Sequence, residues 1–567
     1  MTIQCCLLLL LCIYDVVAEE KLFHEELKDP NWALNNPQNG GDPKNPGLQI
    51  QLSKAAMDYV NEVAGNLMNA QIRHHIRLPN AEKIYESGSY VKTWYNNLQP
   101  NNFRPLSYAY NVKPVAGEEG NRIGWRSYGG RVRIHGNWKG RKVWKFAFVK
   151  IKKSFSGSYQ LTVTGLNVQL ESSLLAATPE GNRSKPTLGS TSCSAQFDRV
   201  NLRLKGGVLE WLISALFSSK IERRLREILQ EELCSIAKEM VQKDMNRKLE
   251  TFPVNIALGP AFSLDSSLLH HPLVLLASER DRYQTLQADF KGEVSYKGQG
   301  GTKFFPPPIP NAPAQEEQLS PPQPMMRLCL SDFVFNSLLS QAHEHGLIKH
   351  IVSKETVSAA ASLLRTSCEK GQICFGRLLP TLEKLYPDSE CRLRVESYED
   401  PTLKISDGNG AGAMVVAGDG KAAELKGLGR LRLEVKEQSS QRWKEVAVID
   451  FNLHAQLLIW LEENADGDAS KVVGKVRINN IAWMLSWSEL GSQEDVEAEI
   501  KRLVDLTQPL LEELANQQLA KGIPLPMIEQ VKLEDVQLTL LDRTLQLAAN
   551  LRYTGAYDVD LTKEIKN

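Results

Sequence analysis

No surplus charge marks this 567-residue chain. Its 67 basic residues balance 67 acidic ones, which excludes a uniformly polycationic protein of the kind that coats nucleic acid. No apolar run is long enough to cross a membrane either: the longest, Ile3 to Val17, falls short of the about 20 residues a spanning helix needs. Catalytic signatures are missing as well, with no Gly-x-Ser-x-Gly elbow and no phosphate loop ending in Gly-Lys-Ser/Thr. His343-Glu344-His345 has the letters of a zinc site without the spacing that sets two ligands on one helical face, and reads as a solvated helix face. Asp466-Gly467-Asp468 lacks the placed glycine and terminal glutamate of a calcium loop. His74-His75 and His270-His271 have no partner spacing, and Gly408 to Gly429 reads as hairpin connections. These absences point away from an enzyme and give no reason to expect a metal or cofactor.

What is present is globular. Hydrophobic residues make up 42% and charged residues 24%, and at roughly 150 residues per domain the length allows two large domains or three to four small ones. The apolar start, closing on the small residue Ala18, fits a secretory signal over 1–18, followed by a polar leader over 19–44. Its removal leaves Cys193, Cys234, Cys329, Cys368, Cys374 and Cys391, an even number that suits an oxidising, extracellular compartment. Asn182-Arg183-Ser184 is a glycosylation sequon and agrees with secretion.

Periodicity predicts an α+β chain. From Ser53, a candidate N-cap, apolar residues recur at threes and fours through Ala56, Tyr59, Val60, Val63 and Leu67. Strands are predicted at Arg131 to His135, Val143 to Ile151 and Tyr159 to Leu170, then one long helix from Val208 to Leu249. A Pro-rich linker fills 301–324, and the pattern restarts with a short strand from Met326, a helix at Ser331-Asp332 and a late helix from Asp495 to Ala520. The closing strands Thr285-Leu286-Gln287-Ala288 and Thr544-Leu545-Gln546-Leu547 echo each other. The order reads as a degenerate duplication of one helix-strands-helix-strands unit, with domains at 45–300 and 325–560. A long apolar helix on a twisted sheet either packs it fully or leaves a groove; small alanines and adaptable methionines such as Met68, Met240 and Met245 favour a groove for acyl chains.

The charge balance hides an asymmetry. Residues 1–324 hold 39 Lys and Arg against 31 Asp and Glu, and 325–567 hold 28 against 36. Between Gly120 and Leu170 there is no acid at all but eleven cations, centred on Gly136-Asn137-Trp138-Lys139-Gly140-Arg141-Lys142. That string reads as a turn between two strands, projecting its side chains from one end of the domain. Tryptophan beside Lys and Arg suits a surface where acyl chains meet phosphates. A solvated basic hairpin without a ligand is the plain alternative, and the interleaved aromatics would also permit single-stranded nucleic acid, which secretion argues against.

Asn45-Pro46-Gly47, Cys193 followed by the helix with Cys234, Leu328 to Asn336 after the Pro-rich stretch, and Lys521-Gly522-Ile523-Pro524-Leu525-Pro526 stand in an order that resembles the bactericidal/permeability-increasing, lipopolysaccharide-binding and lipid-transfer protein family. The resemblance implies a boomerang of two barrels, each a twisted antiparallel sheet on a long helix, joined by a central sheet. It implies a Cys193 to Cys234 disulfide; the other four cysteines have three possible pairings. Phospholipid would be held as bound ligand by Ala56, Tyr59, Val60, Val63, Leu67, Leu225, Leu229 and Leu233. Lipopolysaccharide would be bound by Arg131, Arg133, Trp138, Lys139, Arg141, Lys142 and Lys145. The partners so implied are lipopolysaccharide, phospholipid and, peripherally, an anionic membrane, with the acidic second half open to a host protein and lipid transfer as the alternative role.

Overall fold

The computed structural model describes residues 41–555 except 76–81, 87–88, 96–102, 114–120, 147–148, 178–183, 207–209, 259–260, 277–283, 311–322, 357–360, 407–421, 464–468 and 526–530. The signal, most of the leader, the sequon asparagine and Asp466-Gly467-Asp468 lie outside the described residues. The chain forms two compact units. A first-half unit comprises Leu52–Phe252, His270–Ala288 and the stretch from Tyr553; a second-half unit comprises Pro253–Leu269, Asp289–Arg552 and the stretch up to Gln51.

In the first-half unit, helix α1 (Lys54–His75) starts at Ser53, whose Oγ accepts from the Ala56 N–H at 3.4 Å, as the cap position predicts. An antiparallel sheet follows in the order β2 (Glu82–Glu86), β3 (Ser89–Tyr95), β5 (Asn121–Phe146), β6 (Val149–Ala177) and β7 (Lys185–Gly206), with β4 (Phe103–Lys113) also on β5. Helix α2 (Glu210–Glu239) lies on β7, where the Cys193–Cys234 disulfide fixes it. The predicted long helix runs on without a break to Glu250, with Met240–Met245 as a π-helical turn before α3 (Asn246–Glu250). Leu225, Leu229 and Leu233 of α2 pack into a core with Ile134, Trp138, Leu161 and Phe197 of the sheet.

In the second-half unit, β1 (Leu48–Leu52), β13 (Met326–Ser331), β22 (Thr544–Tyr553) and β21 (Val531–Leu541) lie side by side. A small sheet holds β12 (Glu293–Tyr296), β9 (Phe262–Asp265) and β8 (Asn255–Ala257). The antiparallel pair β10 (Leu273–Leu276) and β11 (Gln284–Phe290) belongs, up to Ala288, to the first-half unit. The echoed Thr-Leu-Gln strings fall on β11 and β22. Helix α4 (Asp332–Glu344) is buried along most of its length, and Asp332 at its start is paired with Arg543 at 2.8 and 3.0 Å. Beyond it run β14 (Lys349–Val352), β15 (Cys391–Ser397), β17 (Ala422–Lys436), β18 (Trp443–Glu463), β19 (Ala469–Ser488) and β20 (Ile523–Pro524), with β16 (Thr402–Lys404) on β17. The short helices α5 (Phe375–Leu378) and α6 (Pro380–Leu385) precede β15, and α7 (Gln493–Leu519) covers β19. The start of the Pro-rich stretch is packed rather than free: Phe304 is buried, Lys303 pairs with Asp400, and Pro306 O accepts from Asn45 Nδ2 at 3.1 Å.

One device recurs. A strand at a sheet edge leaves N–H and C=O groups without partners, and here polar side chains four or eight residues apart on a helix supply them. On α2, Glu222 accepts from Leu202 N, Arg226 donates to Phe197 O and Gln230 donates to Ala195 O. On α7, Gln508 donates to Ile478 O, Glu512 accepts from Ile478 N, and Asn516 exchanges two bonds with Val476. On α1, Asn61 donates to Tyr108 O and Asn69 exchanges two bonds with Leu106. Between them Gly65 lets the Tyr108 ring come so near that a Cβ would lie 2.5 Å from it. Helix, meander, polar-edged helix is thus the order in both units, consistent with a duplication.

A cationic hairpin and an apolar cavity

The string read as a turn is not one. Gly136 to Lys142 lies inside β5, and the chain reverses after Phe146, within the segment predicted as a strand. Gly and Asn usually punctuate turns, but Gly136, Asn137 and Gly140 are paired on both sides within the sheet, and glycines of the neighbouring strands make room for the indole of Trp138. Trp138 stands opposite Gly157, which stands opposite Gly206. A Cβ on Gly157 would fall 1.9 Å from Lys205 O and 2.9 Å from Trp138 Nε1. Trp138 is therefore a core residue, 1% exposed, its Nε1 without a hydrogen-bond partner among the described residues. It does not reach a surface ligand.

Alternation along β5 and β6 then sorts the rest. On the face opposite Trp138 stand Arg131 and Arg133, half-buried, and Lys139, Arg141 and Lys145, exposed. Lys145 lies directly across from Lys150, and Lys152 is across from Val143. On the Trp138 face, Lys142 lies across from Lys153, Trp144 from Ile151 and Phe146 from Val149. Phe146, Val149 and Ile151 are 81%, 61% and 53% exposed. The end of the hairpin is amphipathic: the apolar face that packs under α2 near Trp138 continues beyond it uncovered, with cations on its reverse and a lysine pair between.

Sequence reading missed the contribution of β3. Lys92 stands opposite Lys139 and Tyr90 opposite Arg141, whose guanidinium lies 5.5 Å from the Tyr90 ring centre. Among the described residues none of Lys92, Lys139, Arg141, Lys142, Lys145, Lys150, Lys152 and Lys153 makes an ion pair with a carboxylate. Like charges set directly opposite destabilise a sheet, so this end holds a field that an anionic ligand would relieve.

The expected acyl pocket of the first-half unit is divided. Leu225, Leu229, Leu233 and Ala56 are buried and Tyr59 and Val63 half-buried, but Val60 and Leu67 are 49% and 37% exposed, because α1 turns its Asn61 and Asn69 side toward β4. Leu233 reaches only a small void of about 30 Å³. A large apolar cavity, about 340 Å³, lies in the second-half unit under α7, with Phe335, Leu428, Phe451, Ile481 and Leu511 in its wall. Gly427 and Gly429 line it too, and they belong to strand β17 rather than to the hairpin connection expected there. A Cβ on Gly429 would lie 2.3 Å from the Phe451 ring, so glycine leaves that ring its place in the wall.

Of the four cysteines left open, Cys368 pairs with Cys374. Cys329 and Cys391 are buried thiols, so neither of the other pairings forms, and an even number did not mean full pairing. Burial pushes the Cys329 thiol up to about 12 and raises that of Cys391 as well. Of the histidines weighed as ligands, His343 bonds Ser397 Oγ at 2.7 Å, His345 stacks on Tyr296, and His271 accepts from Ala176 N. Groups able to hold a metal are absent among the described residues.

This two-unit α+β architecture, with helices laid on long antiparallel meanders, agrees with comparisons with known proteins. Residues 101–243 match the LBP / BPI / CETP family, N-terminal domain, and 262–553 match its C-terminal domain. The chain belongs to the LBP / BPI / CETP family. It is 24% identical over 518 residues to the lipopolysaccharide-binding protein of Bos taurus, covering 90% of this chain and 94% of that one. It is 21% identical over 522 residues to the bactericidal permeability-increasing protein of Sebastes schlegelii, covering 90% and 96%. The phospholipid transfer protein of Mus musculus matches over 256 residues at 23%, or 44% of this chain and 46% of that one. A crystal structure of lipopolysaccharide binding protein aligns with TM-score 0.48 at 19% identity, covering 90% of this chain and all of that one.

Proposed function

We propose that this is a secreted lipid-binding protein of antibacterial defence. It docks on the lipid A phosphates of lipopolysaccharide through the end of the β5–β6 hairpin and carries phospholipid in an apolar cavity. The observation that carries the reading is the two-faced hairpin, with Phe146, Val149 and Ile151 uncovered on one side and Arg141, Lys145, Lys150 and Lys152 on the other. An anionic lipid surface offers phosphates to the cations and acyl chains to the apolar residues. The names of the matched relatives, which bind lipopolysaccharide or transfer phospholipid, support the lipid class of ligand. No described helix is long and apolar enough to cross a membrane, and peripheral docking needs none.

The test pairs salt with the apolar face. Exposed charges are screened within about 8 to 10 Å near physiological ionic strength, so binding to lipopolysaccharide weakens with added salt. A Phe146→Ser, Ile151→Ser variant retains that salt dependence and loses affinity. Binding indifferent to both changes would remove the hairpin from the contact. Lipid transfer without recognition of lipopolysaccharide is the second reading, favoured by the about 340 Å³ cavity. Equal binding to lipopolysaccharide and to plain anionic vesicles would put it first.

A further inference from the structure

The cavity of the second-half unit has one polar side. Lys349 and His350 of β14 and Glu396 and Ser397 of β15 line it there, and the rest of its wall is almost wholly apolar. Glu396 accepts from Arg432 Nε at 3.0 Å, Ser397 is bonded to His343, and Lys349 is exposed to solvent. His350 differs. Both its ring nitrogens are buried, and neither has a hydrogen-bond partner among the described residues. Burial holds the imidazole below its ordinary pKa, so at neutral pH the ring keeps one N–H donor and one bare acceptor nitrogen. Orphaned polar atoms in an apolar wall are costly, and a ligand that supplies an acceptor removes part of the cost.

We propose that His350 is the polar anchor of this cavity, donating its ring N–H to an ester carbonyl of a glycerophospholipid whose acyl chains fill the apolar body. A carboxylate suits the position poorly, because a neutral ring in a desolvated wall does not compensate a full charge. An ester carbonyl is a neutral acceptor at the junction of chains and head group, and His350 shares its sheet face with the cavity-lining Val395, Leu431 and Ile449. The inference deepens the lipid-carrier reading and rests on it.

The experiment offers the full chain an equimolar mixture of diester phosphatidylcholine and its diether analogue, matched in chains and head group, and reads uptake by native mass spectrometry. Ala515→Trp, which fills the cavity from α7, marks the lipid copy held there. For that copy the native protein is expected to prefer the diester by about three- to tenfold, the worth of one neutral hydrogen bond. His350→Leu takes both alike, and His350→Gln keeps part of the preference. Equal uptake by the native protein, with the Ala515→Trp copy still lost, overturns the anchor and leaves the lipid cavity standing. A preference that survives His350→Leu overturns it as well. Uptake of neither lipid, or uptake that Ala515→Trp does not lower, overturns the carrier reading of this cavity together with the anchor.

Discussion

Replacing Trp138 by alanine separates a core indole from a ligand-contacting one. The side chain is 1% exposed and sits over Gly157 and Gly206, so truncation opens a void that backbone glycines cannot fill. Buried Trp→Ala changes cost about 3–5 kcal/mol. At about 2–3 kcal/mol per molar urea, the unfolding midpoint of the first-half unit falls by about 1–2.5 M. Trp138→Phe, which keeps a ring and sheds the unpaired N–H, falls between the two. Gly157→Ala destabilises in the same direction, since its Cβ would meet Lys205 O at 1.9 Å. Urea titration followed by circular dichroism reads the midpoints, and lipopolysaccharide binding is measured on each variant at denaturant-free equilibrium. The reasoning fails if Trp138→Ala leaves the midpoint in place and lowers binding tenfold, because the indole would then be a surface contact.

Further outcomes follow from other parts of the fold. Asn516→Leu leaves the Val476 N–H and C=O without their partner, at a cost of about 1–3 kcal/mol, and amide exchange at Val476 accelerates more than elsewhere on β19. Arg430 donates to Asp450 at 2.7 and 3.1 Å and lowers its pKa, so this pair's stabilisation is complete above the ordinary aspartate pKa of about 4 and is lost as pH falls through the depressed folded value. Asp450→Asn therefore flattens the acid limb of a stability-versus-pH curve, and an unchanged limb would contradict the assignment. Cys329 and Cys391 stay inert to a thiol reagent in the native protein and both react after unfolding; rapid native labelling of either would refute their burial.

Much of the architecture is readable from residue order. Ser53 before an apolar repeat marks the start of α1, and the acid-free stretch marks the cationic hairpin. The order of helices and strands, repeated after the Pro-rich segment, gives two like units. What stayed hidden depends on contacts distant in sequence. Gly136, Gly140 and Trp138 look like turn residues until Gly157 and Gly206 are placed beneath the indole. Gly427 and Gly429 look like connection until they are paired with Leu453 and Phe451 of β18. Val60 and Leu67 fit an apolar period, yet the side of α1 facing β4 is chosen by Asn61 and Asn69. The cavity could not be assigned to the second-half unit by periodicity, because a stripe that packs and a stripe that lines a void have the same spacing.

The most direct test of lipopolysaccharide recognition is an equilibrium titration of the native protein and an Arg141→Glu, Lys142→Glu variant against lipopolysaccharide and against phosphatidylglycerol vesicles. These two residues are neighbours on opposite faces of β5, one beside Tyr90 and one across from Lys153, so the pair reverses charge on both sides of the hairpin. The account predicts that the native protein prefers lipopolysaccharide and that the variant loses this preference while its urea midpoint holds. A variant that binds lipopolysaccharide as the native protein does would contradict it.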